Sequence, residues 1–177
     1  KSPVQIGSLT NWSQIACGLW SCAAVKTDGT LWSWGKNEYG ELGLGNTTKY
    51  SSPVQVGSAT NWSQVGMGRS MWVINSSGEL YSCGRNDYGQ LGQGNTTNTS
   101  TLAQVGSLTD WRVIDGAENS FLATKTDYTL WACGNGVFGG LGQGNTTSYS
   151  SPVQVGSEEI WERPTNDNRG MSKALAN

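Results

Sequence analysis

The sequence repeats itself with a period close to fifty residues, and this period constrains the fold more than any single residue does. The hexapeptide SPVQIG at 2–7 returns as SPVQVG at 52–57 and 151–156, and in a degraded form as TLAQVG at 101–106. A fixed period near 50 residues is typical of propellers and related arrays, in which each repeat is one supersecondary unit. A residue present in every copy is therefore more often architectural than catalytic.

Each copy offers about four stretches with the pattern of short β-strands, which is the content of one propeller blade. In the first copy, Asp28-Gly29 separates two such stretches and predicts a type I′ hairpin turn, with positive φ at both central residues. The third copy has Tyr128 where the first has Gly29. Positive φ would cost a tyrosine about 1–2 kcal/mol, so a different turn type is predicted there.

The predicted fold is all-β, with propeller-type blades of four antiparallel strands in a partial or open array. We expect repeats at 2–51, 52–100 and 101–150, the start of a fourth at 151–161, and a non-repeat tail at 162–177. Propellers typically have four to eight blades, so three and a fraction cannot close a ring. The chain begins with Lys1, so we expect it to be processed or part of something longer, and residues 171–177 to form a helical turn or two or a docked peptide.

A glycine-rich segment follows the last strand of each copy, at 35–48, 84–97 and 134–147. Glycines recurring in register imply positive φ or close backbone approach. An aromatic residue and a leucine recur between them, and we expect both to act as apolar plugs that pin a compact loop. The aromatic position holds Tyr39, Tyr88 and Phe138, and the residues assigned a structural role are Gly40, Gly89, Gly139, Leu42, Leu91 and Leu141.

A tryptophan recurs at one position in all four copies, as Trp12, Trp62, Trp111 and Trp161. An aromatic side chain buries about 150–250 Å², worth roughly 4–6 kcal/mol before entropy at about 25 cal/mol per Å². Because a blade cannot bury its own faces, we interpret these tryptophans as packing between blades. Ligand stacking is the alternative.

Four cysteines occur, without a Cys-x-x-Cys pair and without any histidine. Cys83 and Cys133 stand where the first copy has Trp34, and a position that accepts Cys or Trp indicates a buried apolar site. We therefore expect the cysteines to be structural core residues, with a disulfide or a metal site as the alternative. The spacings of Cys17, Cys22 and the other two do not offer four converging zinc ligands.

Composition argues against several classes of function. Charged residues make up 14% and the net charge is −2, which predicts no nucleic-acid partner. No apolar run is long enough to predict membrane insertion. The GxGxxG match at 134–139 lacks its middle glycine in the other copies, so we predict no nucleotide or other cofactor. Asp115 and Glu118 form the one close carboxylate pair confined to a single copy, and no second constellation supports them, so we name no catalytic and no metal-binding residue.

The residues that do not repeat are better candidates for function, because loops on a rigid repeat scaffold commonly carry binding sites. Aromatic and charged residues at these variable positions have the chemistry of interface hot spots. Ordinary variation in packing is the alternative. The candidate interaction residues are Trp20, Tyr50, Arg69, Trp72, Glu118 and Tyr149.

The segments at 32–43 and 81–94, with the repeat starts at Pro3, Pro53 and Pro152, resemble the regulator of chromosome condensation repeat family. The resemblance covers residues 2 to about 161 and implies four-stranded blades, seven of which close a ring in well-known members. It also implies a choice of functions: nucleotide exchange on a nuclear small GTPase, ultraviolet sensing through tryptophans, ubiquitin-ligase modules and binding scaffolds.

Three departures from the family limit what can be transferred. Ser21, Met71 and Ser120 stand at or near a position where the family often has histidine. The regular repeat spacing leaves no room for the wedge-like hairpin of the exchange factors. The photoreceptors' Gly-Trp-Arg-His-Thr motif is absent, so the nine tryptophans do not indicate light sensing.

The sequence therefore favours a non-enzymatic protein-interaction or structural scaffold module within a larger assembly, whose partners are other protein subunits or further repeats of a longer chain. The near-identical copies, low charge and abundant Asn, Ser, Thr and Gly favour a virion component or a bacterial or viral surface structure, with a cytoplasmic location left open. The alternative function is that of a guanine-nucleotide exchange regulator of a small GTPase.

Overall fold

The structure is a computed structural model that describes residues 2, 5–6 and 10–157, together with the backbone of 161–166 and 172–176. Within these residues the chain forms β-strands and no helix. The strands are β1 (Trp12–Cys17), β2 (Ser21–Lys26), β3 (Leu31–Gly35), β4 (Tyr50–Gln55), β5 (Trp62–Met67), β6 (Ser70–Asn75), β7 (Leu80–Gly84), β8 (Thr99–Gln104), β9 (Trp111–Gly116), β10 (Ser120–Lys125), β11 (Leu130–Gly134), β12 (Tyr149–Gln154), β13 (Trp161–Asn166) and β14 (Ser172–Ala176).

Twelve strands form three antiparallel sheets, each with its four strands in sequence order. These sheets are blade 1 (β1–β4), blade 2 (β5–β8) and blade 3 (β9–β12), and they confirm the predicted all-β fold of four-stranded blades. The outermost strand of each blade comes from the start of the next sequence repeat, as β4 pairs with β3. Each blade is therefore offset from the sequence repeat by one strand.

The fourth repeat begins a further sheet, in which β13 and β14 pair in antiparallel fashion. Residue Trp161 is the Cα partner of Ala176, and the pairing runs to Asn166 opposite Ser172. Of the two structures expected near the C-terminus, the helical one is wrong for Ser172–Ala176, because these residues are extended and hydrogen-bonded in a strand.

The blades stack side by side through their inner strands. β5 contacts β1 and β2, β9 contacts β5 and β6, and β13 contacts β9 and β10. Apolar side chains fill the two spaces between the blades, because each sheet must bury both of its faces against a neighbour. The first space holds Val25, Leu31, Val65, Met71 and Val73, and the second holds Trp72, Ile74, Ile114, Phe121 and Ala123.

The turn between the second and third strands of blade 1 is not the predicted type I′ turn. Gly29 has a φ of 77°, but Asp28 does not have positive φ. The Gly29 N–H donates to Lys26 O (3.0 Å), and the Lys26 N–H donates to Thr30 O (2.9 Å). One left-handed residue after a tight turn is the type I arrangement with a glycine bulge.

The expectation of a different turn in the third copy is also wrong. Tyr128 has a φ of 63°, and its N–H donates to Lys125 O (3.0 Å), as Gly29 does to Lys26 O. The Asp127 carboxylate accepts from the Thr129 N–H (3.0 Å) and hydroxyl (2.7 Å), and the Arg112 guanidinium lies 4.9 Å from the Tyr128 ring. These local contacts offset the backbone strain of the tyrosine.

The glycine-rich loops of blades 1 and 2 each reach the outer strand of the next blade. Gly45 N–H donates to Ser100 O in β8 (2.8 Å), and Gly94 N–H donates to Ser150 O in β12 (2.7 Å). Gly40 has a φ of 82°, and a Cβ there would collide with the backbone of Ser100. Glycine is therefore required at this position by both backbone conformation and close approach.

One of the two predicted apolar plugs in this loop is wrong. The leucines Leu42, Leu91 and Leu141 are buried beneath the three loops. At the aromatic position Phe138 is 94% exposed and Tyr88 is also exposed, while Tyr39 is half-buried. The loop closes through an asparagine, since Asn37 Nδ2 donates to Asn46 O (2.9 Å) and Asn37 Oδ1 accepts from the Leu42 N–H (3.0 Å).

The recurring tryptophans pack edge-on against aromatic rings of their own blades. The ring centroids of Trp12 and Trp32 are 6.2 Å apart, and those of Trp111 and Trp131 are 6.0 Å apart. Trp62 stacks in the same way on a tyrosine of β7. Trp62 and Trp111 also pack against the clusters that join the blades, and the side chain of Trp161 lies outside the described residues.

Apolar surface is exposed at the blade 1 end of the row. Ile15 is 64% exposed, whereas Ile114 at the same position of blade 3 is 6% exposed. Trp34 lines a cavity of about 280 Å³ together with Trp12 and Ile15. Cys83, which occupies the Trp34 position in blade 2, is fully buried. The difference arises because the preceding blade covers blades 2 and 3.

The cysteines divide into two kinds. Cys83 and Cys133 are buried free thiols, as predicted, and burial raises the pKa of the Cys133 thiol to about 12. The core assignment is wrong for Cys17 and Cys22, which form a disulfide across β1 and β2. Cys17 is exposed because no blade covers that face of β1 in the described part of the chain.

The described residues hold neither a membrane-spanning helix nor a metal-binding cluster. No helix there is long and apolar enough to cross a membrane. No group of three or more His, Cys, Asp or Glu residues in that part of the chain is arranged to hold a metal ion.

Candidate interaction site

The hairpin tips that join the first and second strands of the three blades lie against one another. A Cβ on Gly18 would collide with Gly68 O, and a Cβ on Gly68 would collide with Ala117 O. The Arg69 N–H also donates to Glu118 O (3.3 Å). The small residues bring the three tips into one row, so the variable residues beside them share one surface.

Blade 1 contributes an exposed aromatic residue to this surface. Trp20 is 61% exposed, and Leu19 beside it is also exposed. The Lys36 N–H donates to Trp20 O (2.9 Å), and the Lys36 ammonium lies 4.7 Å from the Trp20 ring centroid. Lys36 also forms an ion pair with Glu38 (2.8 Å). Lys36 thus contacts the Trp20 side chain while much of the indole ring stays exposed to solvent.

Blades 2 and 3 are joined on the same surface by an ion pair. Arg69 Nη2 lies 2.6 Å from Glu118 Oε1, with both side chains partly exposed. Arg69 Nε and Asn119 Oδ1 are both buried, and neither has a hydrogen-bond partner in the described part of the chain. Because exposed ion pairs contribute little to stability, this pair adds little to the free energy of folding.

A cavity of about 180 Å³ opens between the tips of blades 1 and 2. Its floor includes Glu41, which is buried and whose carboxylate accepts from the Tyr39 N–H (2.7 Å). The Arg85 guanidinium lies 5.2 Å from the Tyr39 ring and forms an ion pair with Asp87 (2.6 Å). We call the surface formed by Leu19, Trp20, Lys36, Tyr39, Arg69 and Glu118 the tip face.

Three of the six candidate residues predicted from the sequence lie on the tip face: Trp20, Arg69 and Glu118. Trp72 does not, and its assignment as a contact residue is corrected. Its side chain is fully buried, its indole N–H donates to Gln90 O (2.9 Å), and its ring lies 5.8 Å from that of Phe121. Position in a variable segment did not distinguish a residue pointing into the core from one at the surface.

Tyr50 and Tyr149 also lie apart from the tip face. Both are half-buried at the start of outer strands, and neither lines the cavity. The Tyr149 hydroxyl accepts from Asn145 Nδ2 (3.2 Å), and Tyr50 is placed equivalently beside Asn46. The structure therefore gives these two tyrosines contacts within their own blades.

Sequence reasoning missed Lys36, Tyr39 and Glu41, which lie in the glycine-rich loop. One signal was available, because the residue after the first glycine of this loop varies from Lys36 to Arg85 to Asn135. This variation is easily overlooked because recurring glycines flank it in all three loops. The backbone pairing of Lys36 with Trp20 brings this variable position to the hairpin tip.

The chemistry of the tip face suits the binding of a protein surface. It combines an open indole, two aliphatic or aromatic neighbours and partly exposed charges of both signs, which is the composition of an interface hot spot with a polar surround. The aligned tips carry no nucleophile paired with a base, so their geometry gives no basis for assigning a reaction.

Short stretches of the chain are similar to curated proteins. A 32-residue stretch is 53% identical to the probable E3 ubiquitin-protein ligase HERC3 of Homo sapiens, covering 18% of this chain and 3% of that protein. A 34-residue stretch is 56% identical to the ultraviolet-B receptor UVR8 of Arabidopsis thaliana, covering 19% of this chain and 8% of that protein. The chain thus spans less than a tenth of either relative along the matched stretch.

Solved structures share the fold over most of the chain. Human WBSCR16 matches with a TM-score of 0.72 at 23% identity, covering 81% of this chain and 37% of that one. Prp20p of Saccharomyces cerevisiae matches with a TM-score of 0.75 at 19% identity, covering 85% of this chain and 39% of that one. The chain spans less than two fifths of the length of these structures, and the likeness shows the fold alone.

The repeat itself is recognised directly in the sequence. Residues 28–74 and 77–115 match the regulator of chromosome condensation (RCC1) repeat, and residues 12–41 match a second form of the same repeat. Together these ranges cover more than half of the chain, and the sheet order places them in four-stranded blades. The chain belongs to the regulator of chromosome condensation repeat family, as a β-propeller-type array of its blades.

Proposed function

We propose that this chain is a non-enzymatic protein-interaction module that binds a partner protein through the tip face. The observation that carries the proposal is the alignment of three hairpin tips, which brings the non-repeating residues Trp20, Arg69 and Glu118 from three blades onto one surface. A scaffold built from near-identical repeats has no packing need for an exposed tryptophan there. Such residues at the centre of an interface commonly account for much of the binding energy.

The test compares variants in partner capture and then in measured affinity. Trp20→Ala and Arg69→Ala remove tip-face groups, while Phe138→Ala removes an aromatic group that is 94% exposed and is not one of the tip-face residues. Proteins that wild type and Phe138→Ala retain, but Trp20→Ala loses, are candidate partners. Titration calorimetry with a purified candidate is expected to show at least about a tenfold loss of affinity for Trp20→Ala.

Two results would contradict this assignment. The first is a partner bound equally by wild type, Trp20→Ala and Arg69→Ala, because the binding surface would then lie elsewhere. The second is a loss of folding in Trp20→Ala, which circular dichroism would detect and which would make the indole structural. Arg69→Lys, which keeps the charge but not the planar fork, separates general attraction from a geometric contact.

The alternative function is regulation of nucleotide exchange on a small GTPase. The likeness to Prp20p, whose structure was described with its binding properties to Gsp1p and histones, motivates this candidate. A panel of small GTPases loaded with fluorescent nucleotide tests it, and accelerated release would favour exchange over plain binding. The matched relatives give no support to a virion or surface location.

A further inference from the structure

The hairpin tip of blade 1 is cross-linked, and the equivalent tips of blades 2 and 3 are not. Cys17 and Cys22 are Cα partners at the end of the β1–β2 pairing. The same two positions are Met67 and Met71 in blade 2, which are both buried. Cys17 is exposed, since the described residues place no preceding blade over it. The disulfide therefore links a tip that no described blade covers on the side where its counterparts are covered.

This disulfide brackets the segment that presents the tip-face aromatic. Residues 18–21 form the tip between the two cysteines, and they include Leu19 and Trp20. The Gly18 N–H donates to Ser21 O (2.8 Å). Blades 2 and 3 make the same hydrogen bond at their tips, from Gly68 to Ser70 and from Ala117 to Ser120, each 2.8 Å. The three tips thus differ in their cross-link and share their hydrogen bond.

We propose that Cys17 and Cys22 are a reversible thiol–disulfide pair that controls the order of the tip presenting Trp20. A thiolate of a dithiol reductant attacks the exposed Cys17 Sγ, the disulfide breaks, and Cys22 leaves as a thiolate that takes a proton from water. The second thiolate of the reductant then attacks its own sulfur in the mixed disulfide. That step releases Cys17 as a thiolate, which takes a proton, and leaves the reductant as a disulfide two electrons more oxidised.

Reduction frees the tip because no described blade packs on the exposed face of β1, whereas blade 1 packs against β5 and blade 2 against β9. Ordering the backbone of one or two residues changes the equilibrium between the closed and the open tip by roughly tenfold or more. We therefore expect opening of the Gly18–Ser21 hydrogen bond to increase about tenfold on reduction. The expected effect on partner binding rests on the proposed function, because Trp20 must contact the partner for the order of the tip to matter.

The first experiment does not involve a partner. Amide hydrogen exchange is measured in the full chain, oxidised and then reduced with dithiothreitol, with peptide mapping to confirm the state of Cys17 and Cys22. Exchange at Gly18 is expected to rise about tenfold, while Gly68 and Ala117 serve as uncross-linked controls that do not change. Cys17→Ser with Cys22→Ser should exchange like the reduced chain and show no response to reductant.

Reduction that requires unfolding, or that leaves Gly18 exchange unchanged, would overturn the proposal. A second experiment titrates an identified partner against the oxidised and reduced chain, with about a tenfold weaker affinity expected after reduction. If Trp20→Ala weakens binding but reduction does not, the switch is refuted and the proposed function stands. If neither changes binding, the tip face is refuted as the binding surface, and the hydrogen-exchange result still decides whether the pair is a conformational device.

Discussion

At the scale of single residues, two aspartates stabilise the turns of blades 1 and 3. The Asp28 carboxylate accepts from the Thr30 N–H (3.0 Å) and hydroxyl (2.6 Å), and Asp127 does the same for Thr129. Hydrogen bonds from the threonine hydroxyl and then the backbone amide lower the pKa of both carboxyls below the ordinary 3.8. The turn of blade 2 uses a group that does not titrate, since Asn75 Oδ1 accepts from the Glu79 N–H (3.0 Å).

The turns of blades 1 and 3 are expected to loosen in acid. A lowered folded pKa means that the unfolded turn binds more protons between the two values, so stability is present above about pH 4 and is lost as pH falls through the folded pKa. Amide exchange at Thr30 and Thr129, corrected for intrinsic rates, should increase below pH 4. Asp28→Asn should remove the pH response at Thr30, and an unchanged response there would contradict the assignment.

At the scale of the element, the glycine-rich loop separates what sequence can predict from what it cannot. The period and the recurring glycines predict the blades, the buried leucines and the left-handed loop residues, because these properties repeat. Orientation at variable positions does not follow from a repeat, so Trp72 and Trp20 looked alike in sequence while one is buried and the other exposed. The positive φ of Tyr128 was missed because local hydrogen bonds outweighed the intrinsic backbone preference.

Substituting equivalent glycines should reveal the contact between loop and next blade. Gly40 and Gly139 have similar φ values, 82° and 72°. A Cβ at Gly40 would collide with Ser100, whereas the nearest atom to one at Gly139 is Asn145 O at 4.0 Å. Gly139→Ala should cost about 1–2 kcal/mol from backbone strain alone, and Gly40→Ala about 2–4 kcal/mol, since overpacking is added. Urea denaturation measures both, and equal losses would show that the loop does not press on β8.

At the scale of the whole molecule, no described blade covers the blade 1 end of the row of blades. Counting the repeats predicts an open array. The side chains exposed at the blade 1 end depend instead on how the blades stack. That geometry leaves Ile15 and Trp34 beside a cavity of about 280 Å³. Further repeats or another subunit are the partners expected to cover such a surface, because large apolar patches on soluble proteins commonly mark interaction sites.

The same substitution at equivalent positions of blades 1 and 3 measures whether the blade 1 end face is covered. Ile114→Ala is expected to cost about 2–4 kcal/mol, because Ile114 is 6% exposed between blades. Ile15→Ala should change the free energy of unfolding by less than about 0.5 kcal/mol, since Ile15 is 64% exposed. A loss at Ile15 as large as that at Ile114 would show that this face is buried in solution, and light scattering would then identify a self-assembled state.

The two free thiols offer a further use of the stacking. Cys83 Sγ lies 4.0 Å from Glu41 O of blade 1, and Cys133 Sγ lies 3.3 Å from Gly89 O of blade 2. Each thiol is therefore sealed by the blade before its own and becomes available to a labelling reagent when that joint separates. Burial raises the pKa of both thiols, so labelling of the closed state is negligible. The labelling rates of Cys83 and Cys133 therefore report the opening of the two joints separately. The repeat architecture thus contains two internal thiol probes, one for the opening of each joint between neighbouring blades.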